Sequence, residues 1–218
     1  MKKEKELRKA LSEASSKLCR LGLNHGATGN LSCRSGEAFI ITPSGVNSEC
    51  LKAESMVTVR FDGAINSQKE VHKPSSEWLF HRDIYASRKD VNAIVHTHSI
   101  FSSTLSVLGK SIPPFHYMIA VAGGDSIRCS GYALFGTQEL SNKIIKAINN
   151  RKACLISNHG MIALGRDLNE ATEVAIEVEH LAQLYVQAKM IGTPKLLTKN
   201  QMNEVIEKFK TYGEWGKD

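Results

Sequence analysis

Two histidines one residue apart, His96 and His98, close a strand-like run from Asn92 to His98. Side chains two positions apart on a strand point to the same face, so both imidazoles can reach one ion. A third histidine, His159, follows the apolar run Cys154-Leu155-Ile156-Ser157 and precedes Gly160, a comparable strand-exit position. Three imidazoles with an open fourth position form the donor set of a catalytic rather than a structural zinc. A His-x-His pair also occurs as two ordinary hydrogen-bonded histidines, and spacing alone leaves both readings open. The remaining histidines, His25, His72, His81, His116 and His180, show no such pairing, and His72 and His81 are expected on solvated surface.

The segment Lys73-Pro74-Ser75-Ser76-Glu77-Trp78 puts two hydroxyls and a carboxylate on the first turn of a predicted helix. Free backbone N–H groups and the helix dipole favour an anion such as phosphate there. The plainer account of the same residues is ordinary capping, with Ser75 and Ser76 as N-caps and Glu77 as a first-turn acid. The turns Thr28-Gly29-Asn30 and Thr42-Pro43-Ser44-Gly45 can bring further N–H groups close to the same phosphate. Neither matches the phosphate loop of nucleotide triphosphatases or the dinucleotide-binding glycine turn, so ATP and NAD find no support.

The elements that must position these groups are legible from periodicity. Residues 3 to 22 carry Leu7, Ala10, Leu11, Ala14, Leu18 and Leu21 at spacings of three and four, one apolar stripe of an amphipathic helix ended by Gly22 and Gly26. Short strands are predicted at Asn30 to Arg34, Ala38 to Thr42 and Met56 to Phe61, separated by Ser35-Gly36, Pro43-Ser44-Gly45 and Asp62-Gly63, which reads as an antiparallel meander. A helix from Pro74 through Ser87, further helices at 99 to 108, 137 to 150, 169 to 191 and 199 to 210, and a strand from Ala153 to Ser157 complete the pattern. The expected architecture is α/β, a central, mainly antiparallel sheet with helices on its faces, and 218 residues suit a single domain spanning 1–218.

Composition narrows the functional class. The net charge is +6, yet lysines and arginines are scattered, no run of five basic residues occurs, and the aromatic residues (6%) do not interleave with them. Nucleic acid is therefore not an expected partner, and the charge is read as solubility and attraction for anionic substrates. No stretch approaches the roughly 18 apolar residues of a membrane span. The charged start Met1-Lys2-Lys3-Glu4-Lys5-Glu6 lacks the apolar core of a secretion signal, so a cytoplasmic protein is expected. Cys19, Cys33, Cys50, Cys129 and Cys154 are odd in number and contain no CxxC, and are read as small buried hydrophobes.

Taken in order, Gly29-Asn30, Thr42-Pro43-Ser44-Gly45, Pro74-Ser75-Ser76-Glu77, His96-Thr97-His98 and Asn158-His159-Gly160 resemble the motifs of the class II aldolase/adducin family. His116-Tyr117-Met118-Ile119-Ala120, Ala122-Gly123-Gly124, Phe135-Gly136-Thr137 and the tail Lys208 to Gly213 look most like the fuculose-1-phosphate aldolases within it. The resemblance runs almost end to end. It implies a three-layer α/β/α fold, a cyclic homotetramer with the site between neighbouring subunits, and cleavage of a ketose 1-phosphate to dihydroxyacetone phosphate and a small aldehyde such as lactaldehyde.

By the same resemblance His96, His98 and His159 would hold Zn2+, or another divalent ion such as Mn2+ or Co2+, with Glu77 both a ligand and the general acid/base. Gly29, Asn30, Ser44, Gly45, Ser75 and Ser76 would bind the phosphate of a small sugar substrate. Tyr117 would exchange a proton with the aldehyde-side oxygen, and Phe135, Phe209 and Tyr212 would line the aldehyde pocket. Ala27-Thr28 and the terminal Glu214 to Asp218 depart from the pattern, the latter at the end that closes over the aldehyde. Alternatives within the resemblance are a methylthioribulose-phosphate dehydratase, a ribulose-phosphate 4-epimerase, and an adducin-like binding domain without metal.

Overall fold

The computed structural model describes residues 2–65 and 70–210. Its centre is a seven-stranded sheet in the order β3-β2-β1-β4-β7-β6-β5, formed by β1 (Asn30–Ser35), β2 (Ala38–Ile41), β3 (Val57–Arg60), β4 (Ala93–Thr97), β5 (Arg128–Cys129), β6 (Ala153–Ile156) and β7 (Gly160–Gly165). Every pairing is antiparallel except β5 with β6. The expected meander is β1 to β3.

Helices cover both faces. On one side α1 (Lys2–Arg20), α3 (Ile100–Val107), α5 (Leu168–Ile191) and α6 (Lys199–Phe209) pack on Leu31, Cys33, Val95 and Ala163. On the other, α2 (Trp78–Ser87) and α4 (Gln138–Ile148) bring Phe80, Ile84, Tyr85, Leu140 and Ile144 onto Phe39, Ile94, Ile162 and Leu164. The alternation is that of β4 itself: Ala93 and Val95 face one core, and Ile94 faces the other. This is the three-layer α/β/α arrangement. Among the described residues no helix is long and apolar enough to cross a membrane.

The structure differs from the sequence expectations at four places. The helix expected from Pro74 begins at Trp78, because Pro74 bridges to Pro43 and the Ser75 N–H donates to the Thr42 carbonyl, which holds 73–75 extended. The strand β7 was not predicted. Its Gly-Met-Ile-Ala-Leu-Gly run is buried throughout and so shows no alternation. His81, expected on solvated surface, is fully buried, and His72 is half-buried. Of the cysteines only Cys33 and Cys154 are buried; Cys19 and Cys129 are partly so, and Cys50 is exposed.

Glycine at 160 is required by packing rather than by dihedral. A Cβ there would fall inside contact distance of the Thr97 carbonyl oxygen on β4, between the two histidines of that strand's end. The oxygen belongs to the backbone of a central strand and cannot move aside. Gly192, by contrast, has an extended backbone and open space around it. Gly160→Ala is expected to destabilise the fold by about 1–3 kcal/mol through overpacking, with Gly192→Ala near neutral. Thermal unfolding of the two variants measures the difference, and equal Tm values would contradict the packing argument.

Candidate metal centre

The sheet register assembles the site. Asn30 at the start of β1 lies opposite His96 on β4, and His96 lies opposite Ile162 on β7. His98 leaves the end of β4, while His159 occupies the three-residue turn between β6 and β7, where Asn158 takes the left-handed conformation (φ 55°). Glu77, the residue before α2, enters from the helical layer. One ligand atom from each of Glu77, His96, His98 and His159 can be chosen so that all lie within 4.8 Å of one another.

Neighbouring ligand atoms lie at hydrogen-bonding distance from one another. His96 Nε2 is 3.1 Å from Glu77 Oε2 and 3.0 Å from His98 Nε2, and His159 Nε2 is 3.2 Å from Glu77 Oε1. His96 Nδ1 lies 2.8 Å from the Met161 carbonyl, which must be met by an N–H, so Nε2 is the nitrogen free to bind a cation. Glu77 Oε1 is buried and, despite its nearness to His159, receives no hydrogen bond. A cation that accepts several lone pairs at once satisfies this geometry, and three imidazoles with one carboxylate suit zinc and other first-row divalent ions.

The protonation preferences agree. Burial, followed by the neighbouring charge of His96, pushes His98 down to about 3 and His159 down to about 4, so both stay neutral ligands well into acid. For Glu77, burial raises the pKa, but His96, His159 and the Asn30 hydrogen bond outweigh it and hold the carboxyl below its usual range. For His96, burial lowers the pKa, but the charge and hydrogen bond of Glu77 reverse the balance and leave it raised. In the absence of a cation, a proton shared by this pair favours His96 over Glu77.

Around the cluster lies a cavity of about 400 Å³ lined by residues that include Gly29, Asn30, Ser44, Gly45, Ser75, Ser76, Glu77, His98, Phe135 and His159. His96 sits behind this wall, fully buried. Among the described residues no lysine or arginine lines the cavity. Two extended segments build the anion side: Ser44 N–H donates to the Lys73 carbonyl and Ser75 N–H to Thr42, which ties the two turns together and engages those two donors. Gly29 (φ 73°) and Gly45 (φ 71°) both take the left-handed backbone.

Several residues of the site had escaped the sequence reading. Tyr132 and Ala133 line the cavity beside Phe135. Asn24, buried, accepts a hydrogen bond from the His98 N–H and fills the space a Cβ on Gly29 would need. Glu179 on α5 accepts from the N–H groups of Phe101 and Ser102 at the start of α3, directly after His98. None of these carries a motif signal; His81 does, since it stands four residues after Glu77 and so on the same helical face.

Tyr117, half-exposed in a 3-10 turn, and Phe209, at the end of α6, do not line this cavity. Tyr212 lies outside the described residues.

Comparison with known proteins follows the same lines. Residues 9–186 match the family described as Class II Aldolase and Adducin N-terminal domain. The chain is 49% identical to a 5-methylthioribulose-1-phosphate/5-deoxyribulose-1-phosphate aldolase of Rhodospirillum rubrum, covering 95% of this chain and 93% of that one. It is 46% identical to the L-fuculose phosphate aldolase of Escherichia coli K12, with 90% of each covered. A solved L-fuculose 1-phosphate aldolase superposes with a TM-score of 0.90 at 36% identity, covering 94% of this chain and 96% of that one.

The cluster predicts coupled metal and proton binding. Below the raised pKa of His96 a cation must displace its proton, so Zn2+ affinity is expected to fall by about one log unit per pH unit as the solution is acidified. Calorimetric titration between pH 7.5 and 5.5, in buffers of different ionisation enthalpy, measures both affinity and proton release. Binding that is absent, or indifferent to pH, would contradict the four-donor geometry.

Proposed function

We propose, for a chain that belongs to the class II aldolase and adducin N-terminal domain family, that it is a divalent-metal aldolase splitting a deoxyketose 1-phosphate into dihydroxyacetone phosphate and a short aldehyde. The observation that carries this reading is the convergence of Glu77, His96, His98 and His159 on a cavity walled by hydroxyls and glycine turns. Zinc is the proposed ion on its nitrogen-rich donor set, and Mn2+ or Co2+ would satisfy the same donors. His96, His98 and His159 are the proposed permanent ligands. Bound there, the ion supplies Lewis-acid stabilisation of the charge that develops on the ketose oxygens.

The chain's own residues do the rest. The phosphate is proposed to sit among Gly29, Gly45 and the hydroxyls of Ser44, Ser75 and Ser76, beside the backbone of Asn30. With no lysine or arginine among the described residues of that wall, recognition is proposed to rest on directional hydrogen bonds. Held there, the substrate has its scissile bond near the cluster, so binding energy from a part that does not react orients the part that does.

Glu77 is the proposed acid/base. Burial is the largest influence on its pKa and pushes it up; only the imidazoles and Asn30 reverse the balance. A carboxylate that swings away from the imidazoles while keeping its Asn30 hydrogen bond retains the burial and loses most of the compensation, and so becomes basic enough to carry a proton. As the carbon–carbon bond breaks, its electron pair passes to the phosphate-bearing fragment, Glu77 delivers to that carbon a proton it took up from solvent after leaving the imidazoles, and the departing hydroxyl becomes the aldehyde oxygen.

The proton lost by that hydroxyl is assigned to Tyr117, whose phenol passes its own proton to solvent as it takes that one up, which replaces the proton Glu77 had drawn from solvent. Since Tyr117 and Phe209 stand outside the cavity of their own chain, we assign them, and on the family resemblance Tyr212, to the site of an adjacent copy in a homotetramer. Phe135 and Tyr132, which line the cavity, are assigned to the aldehyde end within the chain. Methylthioribulose, deoxyribulose and fuculose 1-phosphates share the phosphate end and differ at this apolar one, where a methylene is worth only about 1–3 kcal/mol. Overlapping activity on them is part of the proposal. A cytoplasmic location goes with it, because a phosphorylated sugar does not cross a bilayer unaided.

The test is dihydroxyacetone phosphate release, followed by coupled reduction, from the three ketose 1-phosphates and from unphosphorylated fuculose. Release is expected from the phosphates alone, abolished by chelator and restored by Zn2+. Glu77→Gln is expected to lower kcat by about 10²–10⁴-fold. No release by metal-loaded protein, or a fully active Glu77→Gln, would overturn the proposal.

A further inference from the structure

Behind the metal cluster, on the α2 side of the sheet, four buried polar side chains form an unbroken line, of which only Asn30 has entered the steps above. Tyr85 Oη is 2.8 Å from Ser32 Oγ, and Ser32 Oγ is 2.7 Å from His81 Nδ1. His81 Nε2 is 2.6 Å from Asn30 Oδ1, and Asn30 Nδ2 donates to Glu77 Oε2 at 2.9 Å. Ser32, His81 and Tyr85 are fully buried, and Asn30 is 3% exposed. Groups so placed cannot exchange partners with water, so the line must be satisfied from within.

Only one set of proton positions satisfies it. An ionised Glu77 can only accept, so Asn30 must present its NH2 to the carboxylate and its carbonyl oxygen to His81. His81 must then carry its proton on Nε2. Burial disfavours a second proton on the ring, so Nδ1 is an acceptor and takes the Ser32 hydroxyl proton. The Ser32 oxygen in turn accepts from Tyr85. All four hydrogen bonds run one way, toward Glu77.

We infer that His81 is a positioning residue: through a one-way chain Tyr85, Ser32, His81, Asn30 it fixes which way the Asn30 amide faces and so holds the Glu77 carboxylate in place. An unanchored amide could rotate by half a turn and set its carbonyl oxygen against the carboxylate, repelling it. The same demand explains why Asn30 serves the carboxylate with its side chain and leaves phosphate to its backbone. The helix supplies the register, since His81 and Tyr85 lie four and eight residues after Glu77 on one face of α2. Arg34, whose guanidinium stacks 4.8 Å from the Tyr85 ring centroid, pins the far end.

The catalytic part of the inference rests on the aldolase reading, but the proton arrangement does not, and two measurements separate them. Nitrogen-15 NMR of histidine-labelled protein, with and without Zn2+, is expected to show His81 as a neutral ring protonated at Nε2 in both states. Assignment comes from loss of the signal in His81→Gln. A ring protonated at Nδ1, or one that changes tautomer with Zn2+, would overturn the chain whatever the activity.

In the aldolase assay, His81→Leu is expected to lower kcat about 10–100-fold at unchanged KM and metal content. His81→Gln, which keeps a donor toward Asn30, should recover part of the loss. If His81→Leu fails to fold, Ser32→Ala and Tyr85→Phe report the same line, with a larger kcat loss for the nearer residue. Folded, metal-loaded Ser32→Ala and Tyr85→Phe with wild-type kcat would overturn the positioning role. A wild-type protein that releases no dihydroxyacetone phosphate would strike the function proposed above and leave the NMR result to decide the chain.

Discussion

A buried carboxylate drawn up against three imidazoles is the constraint on which the rest of the structure turns. Glu77 and His96 sit at 3.1 Å with almost no solvent contact, so each must be compensated from within the protein. A cation can compensate all four donors together; a proton on His96 compensates only the nearest pair. The surrounding architecture reads as a means of holding the donors within reach of each other. The β1–β4 register sets Asn30 beside His96, the β4–β7 register sets the His159 turn beside His98, and Gly160 allows those two strands to close without a side chain between them.

The two halves of the site are built from different material. The metal half is made of charged and aromatic groups fixed by the central strands. The anion half is made of turns, with glycines in the left-handed backbone and hydroxyls at their tips. Pro43 and Pro74 pair across those turns, so the loop between β2 and β3 and the approach to α2 form one wall. Asn24 touches both halves, filling the space under Gly29 and accepting from the His98 N–H. Displacement of the Gly29 turn would therefore be felt at His98. Glu179 performs a similar service one step further along, satisfying the exposed N–H groups where α3 begins.

The same economy of contacts places a limit on the isolated chain. Tyr132, Leu134 and Phe135 are all more than half exposed beside the cavity mouth, and Tyr117 is half exposed away from it. Large apolar groups in such a cluster are surfaces that association would cover. The proposed assembly would use them to complete the aldehyde end, which is where the relatives' named substrates differ.

The sequence by itself determined the local facts: His96 and His98 share a face because strand side chains alternate, Gly-containing turns flank the early strands, and amphipathic periodicity locates α1, α4 and α6. Five short motifs in order identified the family. Tertiary structure decided what depends on pairing between distant segments. It turned 73–75 into an extended bridge, and so moved the helix start past Glu77 and aimed that carboxylate at His96 as an acceptor rather than at the first turn as a cap. Likewise it buried His81 against Ser32 and Asn30. Its position four residues from Glu77 was visible, but which face of α2 met the sheet was not. The reason is physical: periodicity reports which residues share a face, whereas the partner of that face is fixed only when β1, β4 and α2 pack together.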